Sequence, residues 1–139
     1  MPPELAVIAE AQRWLRFAAD DLASAQLHLA TSMILPNQAC YHAQQAAEKA
    51  IKAQLILRGC YFPKSHDLSA LATLLPAADQ ALVNDLDLVS LTAWVVAGRY
   101  PTDLGEATAT SAQAAIATAR QLFDRIHQQS GLSLPERSL

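Results

Sequence analysis

Gln45, Glu48 and Lys52 recur at i, i+3 and i+7, a spacing that sets an amide, a carboxylate and an ammonium along one face of a helix. Glu48 stands four residues before Lys52, the favoured order for a helical ion pair. Such a stripe offers hydrogen bonds to a base or sugar hydroxyl and a positive charge to a phosphate, with His42 and Lys49 at its flanks. The competing reading is a solvated, ion-paired face. His66 follows Pro63, Lys64 and Ser65 at the mouth of a short helix. An imidazole there stands beside amides that attract an anion, although a histidine that only caps the helix fits the same pattern. Arg99 and Tyr100 lie between Gly98 and Pro101, where a guanidinium and a phenol project from an ordered corner and suit phosphate or base recognition. A cation at the end of a helix, interacting with its dipole, is an equal alternative.

Four long helical patterns and one short one must position these groups. Ile8, Ala11, Leu15, Ala18, Leu22, Ala25 and Leu29 alternate in steps of three and four, which predicts a helix over about 4–31 with large and small layers along one seam. Ala39, Ala43, Ala46, Ala50, Ala53 and Leu57 predict a second over about 37–58, closed by Gly59. Ser65 or Asp67 caps a short helix ending near Leu75, and Pro76 stops it. A fourth helix is expected over about 79–97, with Leu82, Leu86, Val89, Ala93 and Val96 on one stripe and Leu88, Leu91 and Val95 on another, hence buried on two sides. The last is expected over about 103–129. All seven prolines fall between or outside these patterns. The expected fold is an all-α, up-down antiparallel four-helix bundle with an additional short helix, one domain over residues 1–130 and a flexible tail over 131–139.

Composition narrows the function. The 139 residues include 28 alanines and 21 leucines against five valines and six isoleucines, which excludes an all-β fold. Ten basic against thirteen acidic residues (net charge −3) give no broad positive field for non-specific nucleic-acid binding, and leave room only for a local basic pocket. Cys40 and Cys60 are too few for a disulfide framework or a four-cysteine zinc site. No glycine-rich phosphate loop, HExxH or GxSxG is present, and Asp20 and Asp21 are adjacent, so that helical geometry turns them in different directions rather than onto one magnesium ion; the chain is therefore a poor nucleotidyltransferase in its own right. Trp14, Phe17 and Trp94 are read as core or interface residues. The apolar run 88–98 is too short to span a membrane, and the start of the chain has no basic region followed by an apolar one, so a cytoplasmic protein is expected.

The run Cys40-Tyr41-His42-Ala43-Gln44-Gln45-Ala46-Ala47-Glu48-Lys49-Ala50-Ile51-Lys52-Ala53, then Lys64-Ser65-His66-Asp67-Leu68, then Arg99-Tyr100-Pro101, resembles in order and spacing the HEPN domain (higher eukaryotes and prokaryotes nucleotide-binding). The likeness extends over about 11–127, with Ala19-Asp20-Asp21-Leu22 fitting the family's first helix. It implies a helical bundle that pairs with itself as a homodimer. It also implies a separate minimal nucleotidyltransferase as partner, often in a toxin–antitoxin system, with the metal-dependent chemistry in that partner and no cofactor in this chain. The positions carried over as nucleotide-binding are Gln45, Glu48, Lys52, His66 and Arg99, with Lys49 and Tyr100 added by proximity. Other HEPN proteins resemble metal-independent ribonucleases that use an arginine and a histidine a few residues apart. Here Leu104, Gly105 and Glu106 stand at those offsets after Arg99, and the Arg120 and His127 pair lies late in the last helix. No catalytic residue is therefore assigned. An endoribonuclease and a purely structural dimerisation bundle remain the two alternatives.

Overall fold

The computed structural model describes residues 2–30, 33–97 and 106–134. They form α1 (Leu5–Ala30), α2 (Pro36–Leu57), α3 (Leu68–Thr73), a 3₁₀ segment (Ala77–Leu82), α4 (Leu88–Ala97) and α5 (Ala109–Ser130), with no strand among the described residues. The fold is the expected antiparallel helical bundle, and α2 lies at its centre, packed against α1, α3, α4 and α5.

The core follows the predicted spacing. Ala11, Leu15, Ala18, Leu22 and Ala25 of α1 are buried, as are Ala39, Ala43, Ala46, Ala50 and Ala53 of α2. Burying leucines adds about 1.5–3 kcal/mol each, while rows of alanine let helices approach closely. Pro36 opens α2, where its missing N–H costs nothing. Its end is a Schellman turn: Gly59 takes φ +69°, its N–H bonds the Ile56 carbonyl at 3.0 Å, and the Cys60 N–H bonds that of Leu55 at 2.9 Å. The Asp67 side chain caps α3 by accepting from the Ala70 amide at 3.2 Å.

Two helix boundaries differ from the sequence expectation. The fourth helix does not run over 79–97. It is divided into the 3₁₀ segment and α4, because Asp87 accepts the Ser90 amide at 3.1 Å and starts a new helix, while the Gln80 side-chain amide is held by the carbonyls of Ala72 and Leu75. Its first stripe is buried only in part: Leu82 and Leu86 pack against the core but Val89 is 73% exposed, whereas Leu88 and Leu91 of the second stripe are buried. The last helix begins at Ala109, where Thr108 and Ser111 form a reciprocal capping box. After α5, Leu132 is buried and Ser133 accepts a bond from Gln12, so residues 131–134 return onto α1.

Candidate functional site

The stripe on α2 is not a solvated face. Gln45, Glu48 and Lys52 are all buried, Glu48 to 4% exposure and Lys52 to 7%. Their burial is possible because each meets a polar or π partner. Lys52 Nζ donates to Glu48 Oε2 at 3.0 Å and lies 5.8 Å from the Trp14 ring and 5.7 Å from the Phe62 ring, so its charge faces a carboxylate and two π faces. His66 Nδ1 lies 2.8 Å from the other oxygen, Glu48 Oε1. An ionised carboxylate only accepts, so Nδ1 carries the proton and Nε2 is left for an external group. The imidazole is 57% exposed, against 5% for the Glu48 side chain. A buried anion thus orients a surface histidine, an arrangement that serves either a phosphate contact or a proton transfer.

Gln44 completes this centre. It is fully buried; its Nε2 donates to the His66 carbonyl at 3.0 Å and reaches Glu48 Oε1 at 3.4 Å, while its Oε1 accepts from Gln45 Nε2 at 2.7 Å. Gln45 therefore contacts Gln44, and through it the Glu48 pair. Gln44 lies within the motif read from the sequence, but an amide beside an apolar seam gave no sign of reaching a loop 22 residues away.

Lys49 belongs to a second cluster. Its ammonium pairs with Asp21 Oδ2 on α1, and His42 Nδ1 lies 3.0 Å from Asp21 Oδ1. The His28 ring stacks on that of His42 at 5.4 Å, and Tyr41 meets its edge at 5.5 Å. Asp21 so clasps α1 to α2 beside the Glu48 centre. Arg99 and Tyr100 lie outside the described residues. Arg120 and His127 each have other neighbours: Arg120 approaches Asp124 at 4.0 Å and His127 packs on Phe123.

A third polar centre carried no warning in the sequence. Asp79 is fully buried and receives Arg58 Nε and Nη2 at 2.8 and 2.9 Å, Gln54 Nε2 at 2.9 Å and Gln129 Nε2 at 3.2 Å. Burial pushes its carboxyl pKa up, but the hydrogen bonds from Arg58 and Gln54 and the Arg58 charge outweigh that and hold it below the usual carboxylate range. This knot ties α2, the 3₁₀ segment and α5 together. Gln54 Oε1, on the same amide, is buried without a hydrogen-bond partner, because the two acceptors that engage its N–H groups fix the orientation of the amide.

The HEPN domain profile matches residues 11–129, and the chain belongs to the HEPN domain family. Two solved structures are similar to it. TT1696 from Thermus thermophilus is 27% identical with a TM-score of 0.74. ST0689, described as an archaeal HEPN homologue, is 25% identical with a TM-score of 0.66. Each likeness covers 86% of this chain and 97% of the other. No curated protein matches the chain. No helix among the described residues is long and apolar enough to cross a membrane.

Proposed function

We propose that this HEPN domain is a nucleotide- or RNA-phosphate-binding module that pairs with itself and serves a separate minimal nucleotidyltransferase, as part of a toxin–antitoxin pair. One observation carries the binding role: a buried, ion-paired glutamate fixes the ring of an exposed histidine. In this reading His66 acts as an imidazolium, its Nδ1–H held by Glu48 and its Nε2–H donating to the phosphate, with Lys52 as the counter-ion of Glu48. Gln45 and Gln44 fix Glu48 in turn, and Lys49 steadies the adjoining helix through Asp21. Arg99 and Tyr100, two and three residues beyond the end of α4, add charge and stacking. The partner class is drawn from the family resemblance.

Titration of the protein with nucleoside monophosphates, followed by the NMR signal of the His66 ring, tests the binding. Millimolar nucleotide is expected to shift that signal, and His66→Gln and Arg99→Ala are expected to abolish binding with the melting temperature unchanged. No shift, or loss of binding only in step with loss of folding, refutes it. The same oriented imidazole favours a second reading, a metal-independent endoribonuclease in which His66 serves as a general base. RNA cleavage in the presence of chelator that His66→Gln removes would select that reading.

A further inference from the structure

The connection from α2 to α3 is a rigid loop. Arg58 holds its start on Asp79, and the Cys60 amide bonds back to Leu55. The Phe62 ring lies against Lys52. Gln44 holds the His66 carbonyl, Ser65 Oγ accepts the Asp67 amide at 3.1 Å, and the Leu68 amide bonds Thr92 Oγ1 at 3.0 Å. Against that fixed backbone Tyr61 is 90% exposed and Lys64 is exposed. Neither side chain contributes to the core, and Tyr61 follows the turn whose next aromatic, Phe62, points inward.

We propose that Tyr61 is a base-stacking residue and Lys64 a phosphate contact of the His66 site, so that its ligand is an unpaired nucleotide base with its phosphate. This rests on the phosphate-binding reading of His66 given above and adds the class of ligand. Phe62 and His66 are both tied to the Glu48–Lys52 pair, through contacts of 5.7 and 2.8 Å. Three residues stand between them, four Cα steps with a span of at most about 14 Å. Tyr61 is one Cα step, about 3.8 Å, before Phe62. A phenol ring on a backbone that needs no ordering loses little freedom when a base stacks on it, and such stacking accepts any base because every base has a π face. A double-stranded ligand offers no free face, which makes a single strand or a mononucleotide the matching class.

Calorimetric titration with AMP and with ribose 5-phosphate tests this. Wild-type protein is expected to bind AMP more tightly than ribose 5-phosphate, by roughly fivefold to a hundredfold, the range of one stacked base. Tyr61→Ala is expected to erase that preference and leave ribose 5-phosphate affinity and melting temperature unchanged, Tyr61→Phe to keep it, and Lys64→Gln to weaken both ligands together. Equal binding of AMP and ribose 5-phosphate, or a preference that survives Tyr61→Ala, overturns the stacking role while leaving the His66 reading in place. Failure of wild-type protein to bind either compound overturns the His66 reading itself, and this proposal with it.

Discussion

Glu48 and Lys52 supply the most direct test of the polar centre. Glu48→Gln keeps the size of the side chain and much of its hydrogen bonding but strands an ammonium that is only 7% exposed. Removing one partner of a buried pair costs about 3–5 kcal/mol. The ring faces of Trp14 and Phe62, at 5.8 and 5.7 Å, soften that loss, so the lower value, about 3 kcal/mol, is expected. Lys52→Met leaves a buried carboxylate, but one that still holds His66 and Gln44, and is expected to cost about 2 kcal/mol. The double variant Glu48→Gln/Lys52→Met removes both charges and lets a methionine fill the space between the rings. It should cost about 2 kcal/mol rather than the sum of the two, a coupling of about 3 kcal/mol. Urea unfolding at neutral pH, followed by far-ultraviolet circular dichroism, measures all three from shifts in midpoint at unchanged slope. Additive single effects, within about 0.5 kcal/mol, would refute the view that the two charges stand or fall together.

Two other outcomes follow from buried groups. Asp79 has a pKa below its ordinary value, so its contribution to stability is present above the carboxylate range and fades as pH falls through the folded-state value. Asp79→Asn is therefore expected to cost about 2–4 kcal/mol at neutral pH, with Arg58, 37% exposed, partly rehydrated, and its deficit against wild type should narrow below about pH 4 in acid-series melts; a deficit constant with pH contradicts this. The Cys40 thiol is pushed up to about 11 by burial, against an opposing hydrogen bond from Ser111, so iodoacetamide at about pH 8 should modify the half-buried Cys60 long before Cys40 by mass spectrometry, and equal rates would count against it.

The long helices were legible because their order rests on local chemistry. The three-and-four spacing in α1 and α2, with Pro36 and Gly59 as punctuation, located both to within a residue or two. The region 79–97 was not legible in the same way. Its leucine and valine spacing continues through Asn84 and Asp85, and what breaks the helix is a cap at Asp87 and the Gln80 side chain bridging to α3 and the turn after it. The ion pair Glu48–Lys52 could be read from its spacing, since both partners lie on one helix. Its burial could not, because the cover is supplied by Trp14 and Phe62 from other segments. The approach of His66 to Glu48 spans 18 residues and depends on the turn at Gly59 and the anchor at Gln44, which are tertiary facts. Asp79 gave no signal at all: an aspartate after Pro76 reads as a cap, and only the fold brings Arg58, Gln54 and Gln129 to it.

The rows of fully buried alanine in α1 and α2 have a mechanical consequence. A methyl group has no rotamer to change, so helices meshed through such short teeth cannot trade side-chain adjustment for sliding. The α1–α2 hairpin is in that respect a stiff spine, and the Asp21 clasp and the Glu48 centre, both rooted on α2, keep a constant register to each other. Whatever yielding accompanies the arrival of a guest must then fall on the side chains of the 59–67 connection and on the lighter helices it leads into, while the spine serves as the fixed frame against which they move.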